Sequence, residues 1–301
     1  MSFINDSENL FLICKDKIYD AFPQLKGRIA FGVAGPGSEC YGFEDDLSRD
    51  HDYCDGFCLF ITDEDDIRFG PRLSRLYREL TPSCKVNKSA LGTKKLGVIR
   101  SSDFYMRYLG TPSAPETLEQ WLYLPSHALA EATNGKIFED TLGEFSKVRN
   151  TLLYGMPEDV RKKKIAARCV SMAQSGQYNY KRCLKHGEKG SAALAVNEFA
   201  SSCADLVFLL NRAHAPYYKW VFKKMGSLEI LSEEREKLIN LLSSPVEGKE
   251  ELIEDISGDI ISELILQGLT TSASDYLEDH AFSVMDKIEN MQIKSLHVME
   301  G

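Results

Sequence analysis

Several features that would assign a chain to a familiar class are missing from this sequence. Its eight cysteines form no Cys-x-x-Cys pair, which disfavours a zinc ribbon, and their scatter is typical of free thiols in a reducing compartment. The chain contains no Gly-x-Ser-x-Gly, Gly-x-Gly-x-x-Gly or Walker motif. The sequence therefore gives no indication of a nucleophile-elbow hydrolase or of the common dinucleotide and phosphate loops.

Long apolar runs are missing as well. No uninterrupted stretch approaches the roughly 20 apolar residues that cross a bilayer, and the apolar residues 10–14 near the amino terminus follow no basic segment. We therefore expect neither a membrane span nor a signal peptide, and we predict a cytoplasmic protein with no membrane partner.

Basic residues are fewer than acidic residues. The chain has 36 Lys and Arg residues against 45 Asp and Glu residues, which gives a net charge of −9. Such a surface repels phosphate backbones on average, which disfavours extensive nucleic-acid binding but permits a local pocket for one small polyphosphate. The basic run 161–164 is interpreted as a solvated helix face.

The distribution of periodicities predicts an α+β protein with two domains. Short strands are expected at 28–34, 49–61 and 96–100, alternating with amphipathic helices, which indicates a small mixed sheet in a domain of residues 1–115. Long helical patterns dominate afterwards and predict an α-helical bundle over 116–301.

The segment that follows the first strand carries the clearest chemistry. Gly37 and Ser38 form a sharp break there, and exposed backbone N–H groups at such a break can hold phosphate. Eleven residues separate Ser38 from Asp50 and Asp52, whose side chains share one face if they lie in a strand. Paired carboxylates suit Mg²⁺ or Mn²⁺ that also contacts substrate phosphates. Together these residues predict nucleotidyl transfer.

Each half of this pattern has a structural alternative. An Asp-x-Asp pair alone is usually a solvated strand end, and a Gly-Ser pair alone is usually a turn. Arg49 either contacts phosphate or pairs with Asp45 or Asp46.

The joint pattern resembles the nucleotidyltransferase superfamily that includes DNA polymerase beta and the antibiotic nucleotidyltransferases. Nearly the whole chain is similar to an uncharacterised group of bacterial nucleotidyltransferase-like proteins, a domain family named for its unknown function. The resemblance implies a nucleotidyltransferase fold, a helical domain like that of kanamycin-type enzymes, and ATP as donor. The residues that carry it are Gly37-Ser38, 47–52, 135–140, 176–179, Asn211-Arg212 and 216–220.

The sequence departs from the superfamily at its third carboxylate, because residues 81–102 contain no Asp or Glu. Asp103 is the nearest replacement, with an N-cap as its alternative role. The resemblance also implies a base for the acceptor hydroxyl in the helical domain, for which Asp140 and Glu144 are candidates.

Two further candidates belong to the helical part. Tyr178 is predicted to contact a nucleotide base or the acceptor, with a place in the core as its alternative. Lys219, within the aromatic cluster 216–220, contacts a phosphate, or else this cluster closes the bundle.

The sequence thus predicts a Mg²⁺-dependent nucleotidyltransferase that moves AMP from ATP to a hydroxyl of a small-molecule acceptor. One alternative is an inactive nucleotide-binding or regulatory module that has lost the third carboxylate. The other is a transferase that modifies a partner protein or tRNA.

Overall fold

The structure is a computed structural model that describes residues 3–43, 56–82 and 96–301. The chain divides into two compact units, Met1–Pro115 with Ala128–Gly155, and Glu116–His127 with Met156–Gly301. Residues 128–155, which the sequence analysis assigned to the helical part, therefore group with the first unit. The predicted domain boundary after residue 115 stays a prediction.

Fifteen α-helices and four strands are present in the described residues. The strands are β1 (Ala30–Val33), β2 (Cys58–Ile61), β3 (Gly97–Arg100) and β4 (Lys136–Asp140). The helices up to β4 are α1 (Phe3–Ala21), α2 (Ser38–Tyr41), α3 (Asp63–Leu80), α4 (Ser101–Leu109), α5 (Leu118–Tyr123) and α6 (Ser126–Thr133). The later ones are α7 (Glu144–Tyr154), α8 (Glu158–Met172), α9 (Lys181–Lys185), α10 (Lys189–Leu210), α11 (Tyr218–Met225), α12 (Glu234–Ser243), α13 (Glu250–Leu266), α14 (Leu277–Asp286) and α15 (Met291–Lys294), with a π-helix at Ala173–Tyr180.

The first unit is built on one mixed sheet. Its strand order is β3-β2-β1-β4, with β1 antiparallel to both neighbours and β2 parallel to β3. This sheet, together with the many helices, confirms the predicted α+β class. No strand was predicted at β4, because its residues are only partly buried and lack a continuous apolar run.

The strand register places four glycines at one edge of the sheet, which we call the glycine edge. Gly32 pairs with Cys58, Cys58 pairs with Gly97, and Val33 pairs with Lys136. The end of β1 and the beginnings of β2, β3 and β4 therefore meet there. The glycines beside these strand ends are Gly35, Gly56, Gly97 and Gly135. The opposite edge, which we call the far edge, contains the start of β1 and the ends of the other strands.

Helices cover both faces of this sheet. Phe11, Cys14 and Ile18 of α1 pack with Phe31 and Leu59 on one face. On the other face, the ring of Phe60 stacks on Phe145 of α7 at 4.0 Å between centroids, and Phe104 of α4 packs against both rings. The alternation of strand side chains thus buries a core on each side of the sheet.

The second unit is the predicted helical bundle. Its core contains apolar residues of α8 and of α10, where Phe199, Cys203 and Leu206 are not exposed at all. Helix α10 is also long and apolar enough to cross a membrane by length and composition, with 61% of its most apolar window buried inside the protein. This statement holds for helices within residues 3–43, 56–82 and 96–301. Burial of this kind is typical of the central helix of a bundle.

The prediction of a solvated basic run at 161–164 is wrong. Lys163 is 0% exposed and its Nζ donates to the carbonyl oxygen of His297. Lys164 Nζ donates to the Leu124 carbonyl at 3.1 Å, and burial lowers the pKa of Lys164 to about 8. These lysines bind backbone oxygens that lie far away in the sequence, which a local charge pattern does not reveal.

A buried carboxyl group joins α12 to α13. The side chain of Glu234 is completely buried, and the Lys237 ammonium lies 3.1 Å from its carboxyl group. Lys237 also pairs with Asp255 at 2.7 Å and with Asp259. Burial raises the pKa of Glu234 to about 7; Lys237 opposes this shift and the neighbouring Asp259 adds to it.

This shift predicts a stability loss with rising pH. The ordinary pKa of Glu234 is 4.5 and its folded pKa is about 7, so the folded chain binds more protons between these values. The free energy of unfolding should therefore fall as pH rises through this window, by at most about 3 kcal/mol. Glu234→Gln, which imitates the protonated group, should gain melting temperature relative to the native chain between pH 5 and pH 8. Glu233→Gln changes an exposed neighbour and is the control; parallel pH profiles for Glu234→Gln and the native chain would contradict the assignment.

Candidate functional site

The turn after β1 has the backbone freedom that a close ligand approach requires. Strand β1 is fully buried, and Gly35 beyond it has φ +123°, a conformation that side-chain-bearing residues rarely adopt. Gly37 precedes the four-residue helix α2, which begins at Ser38. The Glu39 carboxylate fills the space where a side chain at position 37 would begin. The sequence-predicted residues Gly37 and Ser38 thus lie at the glycine edge.

Two residues that precede β4 hold this turn from the side. The N–H of Gly35 donates to Asn134 Oδ1 at 3.0 Å, and the N–H of Gly135 donates to the Cys40 carbonyl at 3.0 Å. Gly135 has φ +74°, and a Cβ there would overlap the carbonyl oxygen of Val33. Asn134 and Gly135 therefore bracket the whole segment from Gly35 to Cys40.

Three buried polar atoms lie around the same turn without a hydrogen bond of good geometry to any described residue. They are Tyr41 Oη, Tyr108 Oη and Asn134 Nδ2. Tyr108 Oη lies 3.1 Å from where a Cβ of residue 35 would stand, and the amide of Asn134 neighbours the Tyr41 hydroxyl. Weak interactions join Asn134 to Tyr41 and Arg107 to Tyr108. Because a buried donor left without a partner costs about 1–3 kcal/mol, these three groups are suited to a further acceptor.

Both phenols are hydrogen-bond donors at neutral pH. Burial, reinforced by the negative charge of Glu131, raises the pKa of Tyr41 well above its usual value. Burial also raises the pKa of Tyr108; the nearby Arg107 partly opposes this, and Glu131 adds to it. Because both hydroxyl groups keep their protons, they can donate to an acceptor together with the Asn134 amide.

The predicted metal ligands Asp50 and Asp52, and the neighbouring Arg49, lie outside the described residues. The described chain ends at Phe43 after α2 and begins again at Gly56, directly before β2 at the glycine edge. Both ends of the segment that contains these three residues are thus at, or next to, the turn that contains Ser38. Among the described residues, no group of three or more His, Cys, Asp or Glu side chains could hold a metal ion.

The other predicted acids belong to the far edge. Asp103 accepts from Arg100 Nε at 2.8 Å. Asp140 accepts from the backbone N–H groups of Gly143 and Ser146 at 2.9 and 2.8 Å and so supports the start of α7, where Glu144 lies exposed. Asp140 pairs with Ala30, three residues before the end of β1, which is about 10 Å along the strand from the glycine edge. The structure does not bring these acids together with Gly37 and Ser38.

Tyr178 and Lys219 belong to the second unit. Tyr178 lies in the π-helix, is 50% exposed, and accepts a hydrogen bond from Arg182 Nη1 at 3.0 Å. Lys219 Nζ lies 4.9 Å from the ring centroid of Trp220. Both side chains are therefore surface groups within the bundle, and their roles toward a nucleotide stay predictions.

Comparisons with known proteins agree with the resemblance seen in the sequence. Residues 121–221 match a family described as a domain of unknown function, DUF4037. The chain is also similar to the crystal structure of a nucleotidyltransferase-like protein from Exiguobacterium sibiricum 255-15, with 15% identity, a TM-score of 0.38, and coverage of 94% of this chain and 81% of that one. No curated protein matches the chain.

Sequence reasoning missed the residues that support the turn. Asn134 is 99 positions away from Gly35, and neither Tyr41 nor Tyr108 belongs to a recognisable motif. The available signal was the Asn-Gly pair at 134–135, which typically marks a turn with positive φ. Only the strand register shows that this turn adjoins Gly37 and Ser38.

Replacing Gly135 should test how the turn is supported. Gly135→Ala adds a methyl group that overlaps Val33, in addition to the strain of its positive φ. Gly110→Ala, at φ +71° with open space around its Cβ position, carries only the strain. We expect Gly110→Ala to lose about 1 kcal/mol of unfolding free energy and Gly135→Ala at least about 2 kcal/mol more. Equal losses in urea unfolding would show that β1 does not closely confine Gly135.

Proposed function

We propose that the protein is a Mg²⁺-dependent nucleotidyltransferase that transfers AMP from ATP to a hydroxyl group of a small-molecule acceptor. The observation that carries this proposal is the glycine edge. There, a turn containing Gly37 and Ser38 is bracketed by Asn134 and Gly135 and surrounded by unpartnered donors. The segment with Asp50 and Asp52 starts and ends beside it.

The turn suits the phosphates of a nucleotide. Positions 35 and 37 have no side chain of their own, and Ser38 is only partly buried. The Glu39 carboxylate occupies the space beside Gly37, so it would have to turn away for a phosphate to reach the backbone there. Its hydroxyl and the backbone N–H groups beside it would bind the terminal phosphates, with Arg49 as a further phosphate contact. The donors around the turn agree with an anionic ligand.

Asp50 and Asp52 would hold the divalent cation, Mg²⁺ or Mn²⁺. Such an ion, when bound, neutralises the charge of the phosphates. The chain's own contribution would be to position the triphosphate, with fixed donors for charge that develops on the leaving group. Tyr178 and Lys219 are proposed contacts of the base or acceptor.

The transfer itself is an in-line substitution at the α-phosphorus. The acceptor hydroxyl oxygen forms a bond to this phosphorus, the bond to the bridging oxygen breaks, and pyrophosphate leaves with that electron pair. The hydroxyl proton goes to a base. Asp103 and Asp140 were the candidates for the third carboxylate and the base, and both have local partners at the far edge.

An inactive module that binds nucleotide without turnover is the second candidate function, since the sequence analysis found no third carboxylate in residues 81–102. Metal-dependent release of pyrophosphate from labelled ATP, with and without lysate acceptors, separates the two. Binding of Mg·ATP without release would favour the inactive module. Label on a protein or on tRNA would favour a transferase that acts on a macromolecule.

Replacing the paired aspartates should abolish transfer. Asp50→Asn and Asp52→Asn remove the charge that holds the cation, and we expect each to lower kcat by about 100-fold or more while the melting temperature stays close to the native value. Asp46→Asn, the same change outside the pair, is the matched control. Full activity in both variants would show that the metal assignment is incorrect.

Replacing Ser38 should have a smaller effect. Ser38→Ala removes one hydroxyl but keeps the backbone N–H groups, so we expect a rise in KM for ATP of about tenfold with little change in kcat. Steady-state kinetics over a range of ATP concentrations measure both. A loss as large as that of Asp50→Asn would identify the hydroxyl, rather than the backbone, as the main phosphate contact.

A further inference from the structure

The amide oxygen and the amide nitrogen of Asn134 lie in different environments. Its Oδ1 accepts the hydrogen bond from Gly35 N–H at 3.0 Å, which fixes the amide orientation. Its Nδ2 is buried and makes no hydrogen bond of good geometry to a described residue. One end of this side chain therefore holds the turn. The other end lies beside the Tyr41 hydroxyl and keeps at least one N–H donor without an acceptor.

The two phenols extend this set of donors. Tyr41 lies at the end of α2 and stacks on Phe43 with 5.7 Å between ring centroids, and Tyr108 packs on Phe104 at 5.1 Å. Ring packing thus fixes both side chains, although neither hydroxyl has a well-aligned hydrogen-bond partner among the described residues. Fixed donors beside one turn are pre-organised for a single acceptor, because binding then orders no further side chain.

We propose that Asn134 Nδ2 and the hydroxyl groups of Tyr41 and Tyr108 form a binding site for a phosphate oxygen. This inference deepens the proposed function and rests on it for the source of the phosphate, a nucleoside triphosphate or free pyrophosphate. Asn134 then links the two parts of the site, since the amide that binds the anion also holds the Gly35 turn.

The charged groups near the site largely offset one another, so an anion there would be held mainly by neutral hydrogen-bond donors. Arg107 neighbours Tyr108, whereas Glu131 lies near both phenols, so a cation and a carboxylate oppose one another. All three unpartnered atoms can donate at neutral pH, and a phosphate oxygen accepts several hydrogen bonds at once. An enclosed water molecule would accept at most two and so leave a donor unpaired.

Two tyrosines of α4 give a matched test. Tyr105 Oη donates to the Phe145 carbonyl at 2.8 Å, whereas Tyr108 Oη has no well-aligned partner within the described ranges. Tyr105→Phe should lower the melting temperature and leave pyrophosphate binding unchanged. Tyr108→Phe should keep or raise the melting temperature and weaken pyrophosphate binding at least fivefold, measured by isothermal titration calorimetry in the presence of Mg²⁺.

The Asn134 side chain gives a second test, in which a negative charge is placed at the proposed anion site. Asn134→Asp keeps the acceptor for Gly35 N–H but replaces the Nδ2 donor by an oxygen. We expect the full-length variant to melt within a few degrees of the native chain and to bind pyrophosphate more than tenfold less tightly. Asn150→Asp, on the exposed side of α7, adds the same charge elsewhere and should bind normally.

The outcomes separate this site from the proposed function. Equal weakening of pyrophosphate and ATP identifies the terminal phosphates as the source, and weakening for ATP alone identifies a phosphate that remains on the nucleotide. If Asp50→Asn loses turnover but still binds pyrophosphate, and if this binding still depends on Asn134, the phosphate site is supported. That result does not depend on which reaction the protein catalyses. The proposal would be overturned if Tyr108→Phe and Asn134→Asp both bound pyrophosphate and ATP as the native chain does, or if the native chain bound neither ligand.

Discussion

The close approach of Gly135 to the end of β1 is the contact on which the arrangement of the site depends. A Cβ at this position would overlap the Val33 carbonyl, so the chain before β4 lies against β1 only because residue 135 is a glycine. This approach brings Asn134 to Gly35 and the Gly135 N–H to Cys40. The turn with Gly37 and Ser38 therefore takes its shape from a segment about a hundred residues later.

The same strand register places three aspartates of the first unit at the far edge, away from the buried donors around Asn134. At the far edge, Asp65 accepts from Arg28 at 2.9 Å, Asp103 pairs with Arg100, and Asp140 binds backbone N–H groups. These carboxylates have local structural roles. The buried donors at the glycine edge have no well-aligned partners among the described residues, which suits them to a further hydrogen-bond acceptor.

The sequence predicted those parts of the fold that local patterns determine. The apolar runs located β1, β2 and β3, and the long helical patterns predicted the helical bundle that contains α8 and α10. Strand β4 was missed because half-buried residues show no clear alternation, and Lys163 was misinterpreted because its partner is the distant carbonyl of His297. For the site, the sequence supplied Gly37 and Ser38, but the contacts of Asn134 become visible only when β4 is paired with β1.

Stability and ligand binding should be linked at the glycine edge. A buried donor without an acceptor lowers the stability of the folded chain by about 1–3 kcal/mol. The Tyr41 ring packs on Phe43 and the Tyr108 ring packs on Phe104, and these contacts keep the two hydroxyl groups in place despite that cost. A ligand that supplies the acceptor removes this cost and binds to the folded state alone, so it stabilises the fold in proportion to its affinity. Because β1 ends and β4 begins at this edge, that gain extends to the pairing of β1 with β4. A molecule that fits the donors therefore also strengthens the contact between Gly135 and Val33 that positions them.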